Sequence, residues 1–429
     1  MSQILICTVG GSHQPIISAI EALRPDFVVF VCTGKDPATG RPGSDHQIDG
    51  KGCCIKSHPA DEKPSLPNVP TQAGLKPEQY QLVTTLADDL DRIYLDCKAV
   101  IEEIGRRFPG GNIIADYTGG TKSMSAGLVM AALEHAEVQL QIVSGSRADL
   151  IKVQDGSQFA AEANSEQIRF QRLIAPYKQA WSRYAYSEAE AGLKSLKPPT
   201  NAELRGQYSR FRELSRAFAE WDNFNHQEAH RILNSYASGP LAPYLQEVRL
   251  LAGEMVGSEA QIAKQMQKRE AARLLDLYRN AQRRAAQGRY DDAIARVYRL
   301  IEWTAQWVLQ AKAGIDTGNV NPEQIPENLT LIQNREGRWQ AGLFNAWQLV
   351  KFKTDGAAAH FIAEQENTLL NHIKIRNGSI LAHGFEPIRA GEWQTMYAWL
   401  DAEFISMLLQ ETAELGIKRL PQQLPMGYD

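Results

Sequence analysis

Apolar and polar positions follow two different rules along this chain, and the change falls near residue 170. Before it, short apolar runs alternate with segments of helical spacing. Gln3–Thr8 is an apolar run that predicts a strand, followed by the turn Gly10-Gly11-Ser12. A helix is expected over about His13–Leu23, with Pro15 in its first turn and Pro25 beyond its end. Asp26–Thr33 holds the unbroken run Phe27-Val28-Val29-Phe30-Val31, the look of a strand buried on both faces. Residues 34–78 carry seven prolines, from Pro37 to Pro77, and are expected to be a long loop outside the core. A helix is predicted over Glu78–Phe108, a strand over Asn112–Asp116, a helix over Ser123–His135 and a strand over Val138–Val143. Such alternation predicts a parallel, doubly wound α/β sheet.

Beyond residue 170 the spacing is helical throughout. Helices are expected over Trp181–Leu196, Arg205–Phe218, Gln227–Tyr236, Glu259–Gln287, Asp291–Ala313, Trp339–Lys353 and Phe361–His383, with a turn-rich stretch between Gly314 and Arg338. Three segments, Arg183-Tyr184-Ala185-Tyr186, Trp221-Asp222-Asn223-Phe224 and Gln287-Gly288-Arg289-Tyr290, look alike and each precedes an Ala-containing helix. Their offsets share no period, so they predict helical hairpins and not a repeat array.

Composition narrows the function classes. A length of 429 residues exceeds one ordinary core, which predicts two or three domains. No apolar stretch is long enough for a membrane span, and the first residues read as a strand and not as a signal peptide, so a cytoplasmic protein is expected. The net charge of −4 removes any global field for long nucleic acid; an RNA contact must be local or made to a short single strand. The five cysteines are Cys7, Cys32, Cys53, Cys54 and Cys97, an odd number that suggests no disulfide framework. Cys53 and Cys54 with His46 and His58 match no standard zinc spacing, and no metal site is expected.

The first candidate site is Asp116-Tyr117-Thr118-Gly119-Gly120-Thr121-Lys122-Ser123-Met124, which follows a buried strand and opens a helix. Its glycines permit close backbone approach. Thr118, Thr121 and Ser123 offer hydroxyls, Lys122 a charge, and the helix start free N–H groups, which together make an anion cradle. It matches neither the Walker A loop nor the Gly-x-Gly-x-x-Gly fingerprint, which argues against an oxidoreductase. Thr8, Gly10, Gly11 and Ser12 form a second such loop, and Thr33-Gly34-Lys35 a third. In a parallel sheet these loops gather at the carboxyl edge, where ligands bind.

The second candidate site is Ile375-Arg376-Asn377-Gly378-Ser379-Ile380-Leu381-Ala382-His383-Gly384. On one helix, Arg376 and His383 would lie nearly two turns apart on a shared face, about 10 Å along the axis. Gly378 weakens that helix by up to about 1 kcal/mol relative to Ala. Arg and His suffice for RNA cleavage without a metal, because RNA carries its own 2′-hydroxyl nucleophile. His383 can move a proton, Arg376 can stabilise charge on the phosphate, and Asn377 can orient either group. A basic run from Lys264 to Arg289 is read as a solvated helix face, with an RNA-guiding surface as the alternative. The tryptophans from Trp303 to Trp399 are expected in the core or at a dimer interface.

Asp-Tyr-Thr-Gly-Gly-Thr-Lys-Ser-Met resembles the strand-four motif of CARF domains, the CRISPR-associated Rossmann-like α/β fold, over about residues 1–170. That resemblance implies a homodimer holding one cyclic oligoadenylate, with Gly10, Gly11, Ser12, Thr118, Gly119, Gly120, Thr121 and Lys122 as its contacts; the loop reading adds Thr8, Thr33, Gly34 and Ser123. The Arg-Asn…His segment resembles the Arg-x4–6-His motif of the all-α HEPN domains over about residues 271–429, which implies Arg376, Asn377 and His383 as catalytic groups. Residues 171–270 are then a helical connector. The two motifs in one chain resemble the ancillary ribonucleases of type III CRISPR systems. This implies a metal-independent endoribonuclease cutting single-stranded RNA to 2′,3′-cyclic phosphate and 5′-hydroxyl ends, with no cofactor beyond its activator. A tetra-adenylate ring is favoured over hexa-adenylate. Two alternatives stay open: a sensor that also degrades its activator, and a non-catalytic regulator.

Overall fold

The computed structural model describes residues 1–36, 40, 42–50, 66–145, 159–377, 381 and 384–428, without the side chains of Arg376 and Asn377. The chain divides into two compact units, Met1–Leu173 and Ile174–Asp429.

The first unit is built in chain order from β1 (Gln3–Thr8), α1 (Gln14–Leu23), β2 (Phe27–Thr33), the short α2 (His46–Asp49) and α3 (Val69–Gln72), β3 (Tyr80–Thr85), α4 (Leu90–Arg107), β4 (Asn112–Asp116), α5 (Lys122–Leu133), β5 (Val138–Ser144) and β6 (Phe159–Glu162). The sheet order is β3-β2-β1-β4-β5-β6; all neighbours run parallel except the β5–β6 pair. Alternation sets the two cores. Ile4 and Ile6 of β1 face the layer holding Ile93, Cys97 and Leu128, whereas Leu5 and Cys7 face Ile16 and Ile20 of α1. Apolar neighbours on both faces explain why β1 and β2 read as continuous hydrophobic runs. Burial pushes the Cys7 and Cys32 thiols up, and that of Cys97 to about 12, leaving them unreactive.

Two expectations are corrected here. The helix expected over Glu78–Phe108 begins only at Leu90, because Tyr80–Thr85 is strand β3. Val83, Thr84 and Thr85 favour the strand, and Asp89 starts the helix by accepting from the Arg92 N–H at 3.0 Å. Residues 34–78 are not wholly outside the core either: Ile48 and Val69 are buried beside α1. Short helices with one or two inward residues give too little periodicity to be read from sequence.

The second unit is helical, following α6 (Glu166–Ser182), whose first residues belong to the first unit. Next come α7 (Tyr186–Ser195), α8 (Ala202–Asp222), α9 (His226–Leu233), α10 (Ala242–Ala252), α11 (Glu259–Ala286) and α12 (Tyr290–Ala313). A two-residue ribbon of β7 (Ile332–Gln333) and β8 (Trp339–Gln340) precedes α13 (Leu343–Lys353), α14 (Ala357–Asn377), α15 (Ala390–Trp399) and α16 (Ile405–Ala413). The helix expected over Trp181–Leu196 is broken at Tyr184, and that expected from Trp339 begins at Leu343. The three look-alike segments form one kind of turn. Tyr184, Phe224 and Gly288 adopt φ of +60°, +64° and +73°. Each next N–H bonds the carbonyl five residues back: Ala185 to Ala180, Asn225 to Glu220, Arg289 to Arg284. These are the expected helical hairpins.

The basic run is corrected. Arg283 and Arg284 are not solvated: they are buried against Asp222 and Asp276, themselves buried. Trp347, Trp307 and Trp393 sit in the core that joins α11 to α16, and Trp303, Trp339 and Trp399 pack against it.

Candidate functional site

The loops after β1 and β4 interlock. The Thr8 hydroxyl donates to the Gly119 carbonyl at 2.7 Å, and the Ser125 hydroxyl donates to the same oxygen at 2.9 Å. Side chains have no room at the crossing: a Cβ on Gly119 would stand 2.3 Å from the Thr8 oxygen, and one on Gly10 would stand 2.7 Å from the Gly120 nitrogen. Gly120 has φ of +83°, which favours glycine. The sequence Thr8-Val9-Gly10 against Gly119-Gly120 is therefore required by close approach of two backbones. An alanine at Gly10 must push the loops apart. We expect Gly10→Ala to weaken binding of a ring ligand about tenfold, or about 1.4 kcal/mol, by isothermal titration; unchanged affinity would show the crossing is unimportant.

Several expected donors are already engaged. Thr121 caps α5, its oxygen accepting from Met124 N–H at 3.1 Å while its hydroxyl donates to the Ala87 carbonyl at 2.5 Å. Thr118 Oγ1 accepts from Val143 N–H at 2.6 Å. The Thr118 N–H donates to Asp116 Oδ1 at 2.9 Å, and Gln141 donates to the other oxygen at 2.9 Å. Burial pushes the Asp116 carboxyl up, and those donors pull it back. Thr118 and Thr121 thus shape the loop, while Gly11, Ser12 and Lys122 stay exposed. Lys122 and Ser123 open α5, where helix N–H groups face outward without intrahelical partners.

The third loop reaches the site through a segment that sequence reasoning missed. Ser44 clamps Thr33, accepting from its N–H and donating its own N–H to Thr33 Oγ1, both at 2.9 Å. Three residues on, the buried Gln47 donates to the Gly10 carbonyl, and its Oε1 has no partner among the described residues. Residues 42–49 thereby hold two of the candidate loops at once. Thr33 and Gly34 also line a cavity of about 780 Å3 with Thr84, Thr85 and Arg92. The latter three belong to β3 and the start of α4, so the missed strand hid them. The buried Thr85 hydroxyl, which has no hydrogen-bond partner among the described residues, lies in this wall.

In the helical unit, α14 is fixed by Phe361, Ile362 and Leu369, buried with Trp347 and Phe404. Arg376 and Asn377 stand at its C-terminal end. His383 lies outside the described residues, so the expected Arg376–His383 face does too. One turn before Arg376, His372 stacks on Trp399 with ring centroids 4.4 Å apart, and burial lowers its pKa. Cys53, Cys54 and His58 are outside the described residues. Among the described residues there is no cluster of three potential metal ligands, and no helix is long and apolar enough to cross a membrane.

Comparison with known proteins addresses this helical unit directly. The family model of the Csm6 HEPN domain matches residues 262–405. This stretch is similar to the HEPN domain of Csm6. It runs from within α11 to the first residue of α16 and includes Arg376, Asn377 and His383. The matched stretch lies in a chain whose whole fold is similar to that of Enterococcus italicus Csm6, solved bound to cyclic hexa-2'-fluoro-hexa-dAMP. The match has a TM-score of 0.53 and 12% identity over 97% of this chain and 98% of that one. Can2 from Sulfobacillus thermosulfidooxidans, solved with cyclic tetra-adenylate, matches at 11% identity over 66% of this chain and 68% of that one, with a TM-score of 0.23. No curated protein matches the chain. An α/β unit followed by a helical unit that the HEPN model matches is the fold class that the sequence motifs imply.

Proposed function

We propose that this protein is a cyclic-oligoadenylate-activated, metal-independent endoribonuclease that cuts single-stranded RNA and leaves 2′,3′-cyclic phosphate and 5′-hydroxyl ends. The observation that carries the reading is the HEPN match across Arg376, Asn377 and His383 in a chain that also bears the interlocked glycine loops. Residues 1–170 are the sensor, 171–270 the connector and 271–429 the nuclease. The Csm6 of similar fold was solved with a ring of six nucleotides, which supports a cyclic oligoadenylate ligand here.

The ring's phosphates meet Lys122, Ser123 and the start of α5, with Thr8, Gly10, Gly11, Ser12, Thr118, Gly119, Gly120 and Thr121 forming the loops around them. Thr33 and Gly34 bound the neighbouring cavity. In the nuclease domain the RNA 2′-oxygen attacks the adjacent phosphorus as its proton leaves, and the 5′-oxygen departs with a proton. His383 handles the proton at one of those oxygens, and Arg376 stabilises charge on the phosphate. One chain supplies a single Arg376 and a single His383; a homodimer supplies two of each to one cleft. Ring binding favours the arrangement in which they cooperate.

Replacing Lys122 by Ala is expected to raise the ring concentration for half-maximal cleavage about tenfold, the effect of losing one charge-assisted phosphate contact. Titration of labelled-RNA cleavage with cyclic tetra- and hexa-adenylate reads both this shift and the ring size. An activation curve that does not move removes Lys122 from the site.

A further inference from the structure

The helical unit contains a second cavity, separate from the candidate catalytic segment and with no part in the proposed cleavage. It measures about 500 Å3 and lies between α10, α11 and residues 416–422 near the end of the chain. Its outer wall is held in place by specific bonds. The Arg279 guanidinium donates to the Pro421 carbonyl at 2.9 Å, Gln422 donates to the Tyr244 hydroxyl at 2.9 Å, and Gln423 donates to the Arg279 carbonyl at 3.2 Å.

The lining is strongly asymmetric in charge. Lys268 and Arg279 enter from α11, Lys418 and Arg419 from the terminal segment, against the carboxyl of Glu247. Among the described residues Lys268 and Lys418 form no salt bridge. This separates them from the inner end of the same basic run, where Arg283 and Arg284 are consumed by Asp222. Lys418 and Arg419 are exposed and Lys268 and Arg279 half-buried, so the cations border a partly open cavity and attract an anion that enters it. Leu250 and the largely buried Ala272 and Leu275 add apolar surface, and Tyr244, which packs edge-on against Phe218, borders the cavity. Burial raises the Glu247 pKa, with Asp276 adding to the shift and Arg419 opposing it.

We propose that this cavity binds a nucleotide, with Lys268, Lys418 and Arg419 on the phosphate and Tyr244 and Glu247 beside the base or ribose. A bare phosphate would leave most of the volume empty, whereas about 300–1,000 Å3 is the usual size of a small-molecule site. The apolar wall and ring suit a base, which stacks on aromatic side chains irrespective of sequence. The nucleotide can be free or part of a single-stranded RNA. Either way it lies at a site other than the ring cradle.

Two probes distinguish the sources in the full-length protein: ADP, and a 2′-O-methyl RNA oligonucleotide that lacks the nucleophile for cleavage. ADP makes no use of the proposed cleavage cleft, so its result is independent of the nuclease reading. The triple variant Lys268→Ala, Lys418→Ala, Arg419→Ala is expected to bind at least one probe about tenfold more weakly than wild type, with unchanged circular dichroism. Loss for ADP alone assigns a free nucleotide. Loss for the oligonucleotide identifies RNA, with the salt slope shallower by roughly 0.7 for each phosphate contact removed. The triple Arg-for-Lys and Lys-for-Arg exchange, which keeps the charges, is expected to restore binding. A change below threefold for both probes in the alanine variant overturns the proposal.

Discussion

His383→Ala is expected to lower RNA cleavage by about 10²–10⁴-fold, the usual contribution of a positioned general acid or base. The same variant is expected to bind the cyclic oligoadenylate with wild-type affinity, because the cradle lies in Met1–Leu173 and the histidine in the other compact unit. Paired measurements of cleavage and ring affinity separate chemistry from sensing. Arg376→Ala is expected to behave alike, since a guanidinium aimed at the phosphate acts where charge gathers in the transition state. Asn377→Ala, an orienting change, is expected to reduce the rate less. Cleavage by His383→Ala at the wild-type rate would remove the catalytic assignment while leaving the HEPN fold untouched.

Asp222→Ala is expected to cause the largest loss of stability. Its buried carboxylate accepts from Arg283 Nε at 2.7 Å, from Arg284 Nη2 at 2.5 Å and from Asn280 at 2.8 Å. Arg283 is wholly buried, and its nearest other carboxylate oxygen is 3.8 Å away on Asp276. That second carboxylate is already engaged by Trp221 at 3.1 Å and His226 at 2.9 Å. Removing Asp222 strands two guanidiniums away from water. Breaking a buried pair this way costs about 3–5 kcal/mol. At about 2–4 °C per kcal/mol for a unit of this size, melting should fall by roughly 10 °C in calorimetry. Asp222→Asn, which keeps one acceptor oxygen, is expected to fall in between. A melting point within about 2 °C of wild type would mean the network is not what ties the turn after α8 to α11.

Long, strongly patterned elements are legible in the amino-acid sequence alone. β1, β2 and β4 are apolar on both faces, and α11 and α12 carry many turns of inward residues, so periodicity places them. What escapes is local. Strand β3 mixes Gln81 and Thr84 with Leu82 and Val83 and runs into a true helix, so its period is absorbed into its neighbour's. Arg283 and Arg284 read as surface charges because their partner, Asp222, is distant in sequence and composition does not show who meets whom. The glycine loops are visible because close approach needs glycine, a demand written in residue type. The clamp by Ser44 and Gln47 is not, because a serine and a glutamine within a proline-rich stretch carry no signature until the fold brings them to Thr33 and Gly10.

RNA cleavage in chelator, with and without added cyclic oligoadenylate, is the decisive experiment. Strong activation by the ring is expected, unaffected by chelation, with products ending in 2′,3′-cyclic phosphate and 5′-hydroxyl. Cleavage that ignores the ring, or that stops when divalent ions are removed, would contradict the proposed function.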